Sequence, residues 1–392
     1  MRDIAFLAWR YLAYHRAKTA TLVGSIALIL FLPAGLNVLV NQSAEELTTR
    51  ADQTPLLAGA KGSSLELVLN SLYFESRSPT STNFGNADRI SDSGLAEAIP
   101  LHARFRSRSY PIVGTNLEYF DFRGLRVASG RMMAVLGECV VGAEVARNLK
   151  VGPGDSVTSS PEGVFDLAGT YPLRMTITGV LEPDHSPDDR AIFADLKTTW
   201  IIEGFGHGHQ DLASPEAASS VLSRKGDRIT ANAAVVQYNE ITPENIDSFH
   251  FHGDLSAFPL SSIIAVPQSE KTRTLLLGRH QSDSEIQLVD PRSVMDELLE
   301  TVLTVREYAI AAVGIAGCAT LMTTALVFLL SIRLRRREID TMMKIGASRQ
   351  TIWSVLIVEV AVVLLLAGAF AGGLTLTISR FGSAAIRALL LS

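Results

Sequence analysis

Three long apolar runs constrain the fold of this chain more than any other feature. They cover residues 19–40, 308–332 and 352–378. An α-helix of about 20 apolar residues crosses a bilayer, and each run reaches that length. Backbone groups within lipid must be hydrogen-bonded inside their own segment, so isolated runs of this kind are expected to be helical. The sequence therefore predicts three transmembrane helices, the first of them an uncleaved anchor.

Lys and Arg residues near the ends of the runs predict the orientation. Basic side chains precede the first run and cluster between the second and the third. Cytoplasmic segments carry an excess of Lys and Arg. We therefore expect a multi-pass membrane protein, with an interfacial helix at 1–18 and the segment 333–351 in the cytoplasm. Residues 41–307 are expected outside, and residues 379–392 form a short tail.

Composition agrees with a membrane protein that carries a large water-exposed domain. The apolar fraction is 47%, charged residues supply 19% and the mean hydropathy is +0.23. The net charge of −5 gives no indication of a nucleic-acid partner. Cys318 lies in an apolar run and Cys139 in the exposed region, so the two are not expected to pair.

The exposed region has the pattern of a mixed α+β domain. Polar segments of helical periodicity at 41–52 and 294–305 predict two stalks next to the spans. Between them, residues 138–141, 174–180, 233–238 and 263–266 predict strands, and 196–202 and 214–224 predict helices. The predicted fold class is α+β, in which a polytopic α-helical membrane domain of three spans carries a large mixed α+β extracytoplasmic domain between spans 1 and 2.

Signatures of catalysis are absent from the sequence. No Walker A motif occurs, and a phosphate cradle requires such a glycine loop before a helix. No G-x-S-x-G motif indicates a serine hydrolase. We expect a non-catalytic subunit without a cofactor of its own.

Two H-x-H pairs stand in the exposed region: His207 with His209, and His250 with His252. Side chains two residues apart share a face of a strand, so each pair could present two imidazoles to one metal ion. No Cys or carboxylate stands at a familiar ligand spacing. We therefore favour the alternative, in which both pairs are solvated residues of polar loops.

Glu359 is an acidic residue within the third apolar run. A carboxylate inside a span predicts a functional site, paired with a basic residue of a neighbouring helix. The alternative, which we favour, is a structural role near the cytoplasmic interface.

Small residues four apart predict close helix packing in two spans. Gly314 and Cys318 form one such pair, and Gly368 and Gly372 form another. Residues of this size let two helices approach closely in a membrane bundle.

The segment between the second and third spans is more than a basic loop. Four apolar residues recur at helical spacing, Gly346 predicts the end of a helix, and Ser348 is placed to cap the next one. The apolar residues are Ile339, Met342, Met343 and Ile345. We interpret the segment as a short amphipathic docking helix rather than a plain positive-inside loop.

These residues resemble a known family. Arg335-Arg-Arg-Glu-Ile339, Lys344-Ile-Gly-Ala-Ser348 and the later Glu359 resemble the coupling segment of FtsX-like, MacB-type ABC transporter permeases. The segment 7–12, LAWRYL, resembles the entry helix of that family. Residues 137–142, GECVVG, and 151–155, VGPGD, resemble its periplasmic core domain.

The resemblance implies a permease subunit for export or mechanotransmission in a bacterial inner (plasma) membrane, driven by a separate ABC ATPase that holds ATP and Mg²⁺. Its implied partners are that ATPase, a second permease copy in a homodimer or heterodimer, membrane lipid, and a periplasmic adaptor or substrate-binding protein. The alternative function is a non-transporting regulator of an extracytoplasmic enzyme such as a cell-wall hydrolase. The residues expected to contact the ATPase are Glu338, Met343, Lys344, Gly346, Ala347 and Ser348.

The family also implies an inserted lobe and a fourth span. The lobe is expected at about 200–262 within the exposed domain. A fourth span has no counterpart, because the tail from Ser383 is too short to cross a bilayer. Either the protein is natively three-span or the sequence stops before the fourth span.

Overall fold

A computed structural model describes residues 2–75, 79–160, 172–209, 221–225, 228–231 and 238–390. The chain divides into two compact units, which are treated separately below. The helical unit comprises Met1–Thr49 and Asp296–Ser392. The α+β unit comprises Arg50–Met295.

The helices of the described residues differ greatly in length, from one or two turns to more than ten. In chain order they are α1 Arg2–Tyr14, α2 Arg16–Asp52, α3 Ser64–Tyr73, α4 Phe84–Asp92, α5 Glu118–Arg123, α6 Ala143–Leu149, α7 Leu196–Ile202, α8 Glu270–His280, α9 Pro291–Leu334, α10 Arg336–Lys344 and α11 Arg349–Leu390.

The strands are short, as in most mixed domains. In chain order they are β1 Leu56–Ala60, β2 Thr82–Asn83, β3 Ala96–Ser107, β4 Tyr110–Thr115, β5 Val127–Gly130, β6 Glu138–Val141, β7 Ser156–Thr158, β8 Arg174–Leu181, β9 Ile192–Asp195, β10 Gly206–Gly208, β11 Val221–Lys225, β12 Arg228–Ala231, β13 Phe249–Phe251, β14 Pro259–Leu260, β15 Ser262–Pro267 and β16 Ile286–Val289.

Three helices have the length and apolar composition needed to cross a membrane. They are Arg16–Gln42 of α2, α9, and Arg349–Phe381 of α11. These segments coincide with the three apolar runs of the sequence. Both predicted stalks are helical as well, since α2 continues to Asp52 and α9 begins at Pro291.

The core of the helical unit lies where α1, α2 and α11 pack together. Leu12 of α1 and Ile26 of α2 are buried with Val363 and Ala367 of α11. Many other apolar side chains of these helices are exposed, among them Leu326 and Leu365. A surface of this kind is expected of helices that contact lipid.

The α+β unit is built on a mixed sheet of ten strands among the described residues. The strand order is β16-β1-β15-β3-β4-β9-β6-β8-β5, and β7 pairs with residues 174–176 of β8 off this path. Most neighbours are antiparallel, while β4 with β9 and β6 with β8 are parallel. Buried side chains of α4, α7 and α8 pack on one part of the sheet, and Val145 of α6 packs on another. The mixed α+β prediction for this region is confirmed.

Most of the predicted elements of this unit are present. The strands expected at 138–141, 174–180 and 263–266 correspond to β6, β8 and β15, and α7 spans the residues expected for a helix at 196–202. The helix predicted at 214–224 is wrong over its last four residues. There Val221–Lys225 forms β11, because its backbone pairs antiparallel with β12. Residues 214–220 and 233–237 lie outside the described part of the chain.

The strands between 206 and 260 pair outside the main sheet. β10 pairs with β13, β11 with β12, and β14 with β2. The inserted lobe expected at about 200–262 stays a prediction, and these separate small sheets are the elements that fall within it.

Candidate functional site

The segment between the second and third candidate spans forms the short helix α10. Its backbone ends at Gly346, whose φ of +100° lies in a region that glycine adopts without a side-chain clash. The amide of Gly346 donates to the carbonyl oxygen of Met343 at 3.1 Å, and that of Ala347 donates to Met342 at 3.0 Å. Ser348 Oγ then accepts from the amide of Thr351 at 3.2 Å and caps α11. The predicted helix, its glycine end and its serine cap are therefore present.

The side chains expected to contact the ATPase are largely exposed. Met343 is 40% exposed and Ile345 is 79% exposed. Lys344 and Ser348 are exposed, and Ala347 is half-buried. The Glu338 side chain lies outside the described part of the structure. Exposed apolar residues beside basic ones are what a protein-docking surface requires, but contact with an ATPase stays a prediction.

Glu359 is buried and is paired with a basic residue. Arg335 Nη1 donates to both carboxylate oxygens of Glu359, at 3.0 and 3.1 Å. The guanidinium of Arg335 also lies over the ring of Tyr11, 3.5 Å from its centroid. The pair links the start of α10 to α11 and α1. The predicted basic partner of Glu359 is therefore present, while a functional role and a position near the cytoplasmic interface stay predictions.

The end of the first stalk contains a charge network that the sequence did not predict. Arg50, in the last turn of α2, donates from Nη1 and Nη2 to the two carboxylate oxygens of Asp188 at 2.7 and 2.9 Å. Nη2 also donates to the hydroxyl of Tyr119 at 2.9 Å, and that hydroxyl donates to Asp188 at 2.7 Å. The Arg50 and Asp188 side chains are 6% and 1% exposed.

Sequence signals for this network were weak. Ser186 caps the 3-10 helix Pro187–Arg190 and places Asp188 within it. No local pattern could link Asp188 to Arg50, which stands 138 residues earlier.

The network sets the ionisation of its members. Burial alone would raise the pKa of Asp188, but the charge and hydrogen bonds of Arg50, with the hydroxyl of Tyr119, outweigh burial and hold this pKa below its usual value. Burial and the Asp188 charge raise the pKa of Tyr119. The network is therefore a charged pair with a neutral phenol at neutral pH.

A second contact lies next to it, at the start of the other stalk. Asp52, the last residue of α2, pairs with Arg292 of α9 at 2.8 Å. The two side chains are 38% and 61% exposed, so water screens this pair. The ends of both stalk helices are thus tied together inside the α+β unit.

Among the described residues, the four positions predicted to pack helices are open. A Cβ atom added at Gly314, Gly368 or Gly372 would meet nothing within 4 Å, and Cys318 is exposed. Close approaches between helices occur at other glycines, because a Cβ atom added at Gly317 would lie 3.1 Å from Ile29 and one added at Gly35 would lie 3.6 Å from Ile378. Packing of the four predicted residues in a helix bundle stays a prediction.

The two H-x-H pairs, predicted to be solvated loop residues, are brought together instead. His207 lies on β10 and His250 on β13, and these two residues are directly opposite each other in the register. The loop interpretation is wrong for His207 and His250, which lie in paired strands, whereas His209 and His252 follow the ends of β10 and β13. Burial lowers the pKa of His207, and the neighbouring imidazoles lower it further.

The two thiols are free, as expected. Cys318 is exposed, whereas Cys139 is buried in the core of the α+β unit, where burial raises its pKa. A buried, protonated thiol is unreactive until the surrounding structure opens.

Three candidate spans and a mixed α+β unit define a membrane protein with an extracytoplasmic domain. The family model of the MacB-like periplasmic core domain matches residues 23–238, more than half of the chain. The chain belongs to this family and is an ABC transporter permease-type protein, which implies an ABC ATPase as its partner. No curated protein matches the chain.

Solved structures with the same kind of domain are distant in sequence. The extracellular domain of the ABC-type transporter YknZ from Gram-positive bacteria is 14% identical, with a TM-score of 0.32, and the match covers 60% of this chain and 99% of that one. The periplasmic region of MacB from Actinobacillus actinomycetemcomitans is 11% identical, with a TM-score of 0.34, and the match covers 66% and 97%. The family assignment rests on the family model.

Proposed function

We propose that this chain is the permease subunit of an ABC complex and that it relays the motion of a separate ATPase to its extracytoplasmic domain. The observation that carries the proposal is the surface of α10 and the turn after it. Met343 and Ile345 are exposed there between two candidate spans, beside the basic Lys344. Apolar side chains on a charged segment outside the spans fit a groove of a soluble partner. ATP and Mg²⁺ would be bound by that partner.

The proposed relay uses the two stalk helices. α2 is one continuous helix from Arg16 to Asp52, so a displacement of its membrane part would be carried along its axis. Its last turn is held by the Arg50–Asp188 pair, whose two parallel hydrogen bonds fix both distance and orientation. Asp52 and Arg292 would couple the end of α2 to the start of α9.

The relay would drive one of two processes. Export of a substrate and regulation of an extracytoplasmic enzyme both need a moving outer domain, and no contact of the described residues favours regulation over export. We propose export or mechanotransmission by a complex of two permease copies and two ATPase copies in the inner membrane. A homodimer or a heterodimer would satisfy this arrangement, with an adaptor or substrate-binding protein as a further partner.

Docking is tested by coexpressing the chain with its ABC ATPase and measuring copurification and ATPase rate in lipid nanodiscs. Gly346→Pro is expected to abolish the stimulation of ATP hydrolysis, because proline fixes φ near −65° and cannot adopt +100°. Ile345→Glu is expected to reduce copurification, while Ile345→Val is the matched control that keeps the apolar contact. Membrane insertion should be unchanged in all three variants.

The outcomes are distinct. Normal copurification and normal ATPase stimulation in both Gly346→Pro and Ile345→Glu would overturn the docking role of this segment. Loss in Ile345→Glu together with retention in Ile345→Val supports it.

A further inference from the structure

Four histidines of the α+β unit share one face of the small ribbon formed by β10 and β13. His207 is paired with His250 in the antiparallel register, so their side chains leave the ribbon on the same side. His209 and His252 directly follow the last residues of β10 and β13, and their ring centroids lie 5.8 Å from that of His207 and 4.8 Å from that of His250. The coupling role proposed above uses none of these residues.

The imidazoles are close enough to share an ion. Ligand nitrogens of His207, His209 and His250 all lie within 4.8 Å of one another. The His252 ring is centred 4.8 Å from that of His250 and 4.9 Å from that of His207. A tetrahedral ion with bonds of about 2.0–2.1 Å holds its nitrogens about 3.3 Å apart. Small rotations of the side chains would therefore close the site.

The opposite face of the ribbon explains why the histidines point away from the core. Gly206 and Gly208 lie opposite Phe251 and Phe249. A Cβ atom at either glycine would come within 2.7 or 2.6 Å of the facing phenyl ring, so the glycines leave space that the rings fill. Both rings pack on the main core cluster of the unit. The ribbon is thus anchored by one face and presents the histidines on the other.

One of the imidazoles is already oriented for coordination. His250 Nδ1 lies 3.0 Å from the carbonyl oxygen of Ser248. A carbonyl oxygen only accepts hydrogen bonds, so Nδ1 carries the proton and Nε2 presents its lone pair. Metal-binding histidines usually donate their second nitrogen to a carbonyl or carboxylate in this way, which fixes the tautomer and the ring.

We propose that His207, His209 and His250, with His252 as the fourth ligand, bind one divalent transition-metal ion of the Zn²⁺ or Cu²⁺ type. Imidazole suits these ions, whereas Mg²⁺ and Ca²⁺ require oxygen ligands. Coordination across the ribbon cross-links β10 to β13. The ion therefore stabilises this part of the α+β unit, because it binds the folded arrangement and not the unfolded chain.

The test uses the full-length chain in detergent, purified without a polyhistidine tag. Zn²⁺ affinity and stoichiometry are measured by competition with a chromophoric chelator at neutral pH. One equivalent per chain is expected, with no competition by Mg²⁺. The double variant His207→Gln/His250→Gln is expected to weaken binding by more than about 100-fold. His280→Gln, which changes a histidine of α8, is the matched control and should bind as the parent does.

Two further variants separate loss of ligands from loss of folding. His209 follows the last residue of β10, so His209→Gln removes a ligand without altering a ribbon pair, and about 10-fold weaker binding is expected. His252→Gln is expected to have a similar effect. Protection of the buried Cys139 thiol reports whether the unit is folded in every variant.

Cu²⁺ gives an independent readout. Electron paramagnetic resonance of the Cu²⁺-loaded chain is expected to show splitting from several equatorial nitrogens, which the double variant loses. Binding of Zn²⁺ that persists in a folded double variant would overturn the site. So would a Cu²⁺ spectrum with oxygen ligands alone.

Discussion

An arginine–carboxylate pair of low exposure lies in the α+β unit and another in the helical unit, and their geometries differ. In the α+β unit, two nitrogens of Arg50 meet the two oxygens of Asp188, and Tyr119 bonds to both partners. In the helical unit, Nη1 of Arg335 donates to both oxygens of Glu359.

The difference indicates how strongly the protein is destabilised when one partner of each pair is lost. Arg50 is enclosed by the folded unit, so loss of its carboxylate would leave a buried charge. Arg335 is somewhat more exposed, at 14%, and its guanidinium also lies over the ring of Tyr11. The first pair fixes the end of a stalk, and the second is a contact that can open at lower cost.

The largest difference in stability between the two pairs is expected when the Asp188 carboxylate is removed. Asp188→Ala leaves Arg50 buried without its counter-charge and should lower the free energy of unfolding of the α+β unit by about 3–5 kcal/mol. In a Cys318→Ser background, Cys139 is the only thiol, so the rate of its labelling in denaturant measures opening of this unit. A labelling profile like that of the parent would contradict the role of the network.

Glu359→Ala tests the pair of the helical unit and is expected to cost about 2 kcal/mol, less than Asp188→Ala. Arg335 retains the Tyr11 ring and partial access to water, which offsets part of the loss. Heat-induced loss of the monodisperse full-length protein in detergent measures the effect. Cys139 labelling should remain at the parent rate, and a larger effect at Glu359 than at Asp188 would reverse the proposed order.

Gly317 and Gly314 offer a matched test of packing in the helical unit. Gly317→Leu should cost about 1–3 kcal/mol, because its side chain would collide with Ile29. Gly314→Leu should leave the stability of the chain unchanged, since open space surrounds that position. If Gly314 packs against a second copy, as the small-residue pattern predicts, Gly314→Leu instead lowers the dimer fraction in size-exclusion chromatography.

The Arg50–Asp188 pair also predicts acid sensitivity of the α+β unit. A carboxyl group whose pKa is lower in the folded state gives stability that is present above its unfolded value and lost as the pH falls through the folded value. For Asp188 the loss therefore begins below the ordinary value of 3.8. It amounts to at most about 1.4 kcal/mol per pH unit for one group. Denaturant unfolding followed by Trp200 fluorescence, with Trp9 and Trp353 replaced by Phe, measures it, and Asp188→Asn should remove this component.

The smallest effect is expected at the exposed stalk contact. Arg292→Ala removes the partner of Asp52 and should change the free energy of unfolding by about 0.5 kcal/mol, because water screens the pair. Cys139 labelling provides the measurement. An effect as large as that of Asp188→Ala would mean that the exposed pair, and not the buried network, holds the stalk ends.

Local patterns in the sequence were sufficient for the three candidate spans, for most of the predicted elements and for the helix between the second and third spans. Apolar length indicated the three spans, and the glycine and serine around residue 346 indicated where α10 ends and α11 begins. The acid in the third run led to a basic partner for Glu359. For the spans and for the ends of α10 and α11, the sequence signal lies within a few helical turns of the element that it predicts. The partner of Glu359 was predicted because a charge within an apolar run must be paired.

Only the tertiary structure decided the contacts between distant segments. Arg50 and Asp188 carry no mutual signal in the sequence, and the four histidines were two separate pairs until β10 and β13 aligned them. Gly317 rather than Gly314 faces Ile29, and the spacing of small residues did not indicate which of the two would do so. The sequence by itself determined the class of protein, since hydrophobic length and helix-ending residues act locally. The folded chain determined which charges and imidazoles meet, since long-range packing brings them within bonding distance.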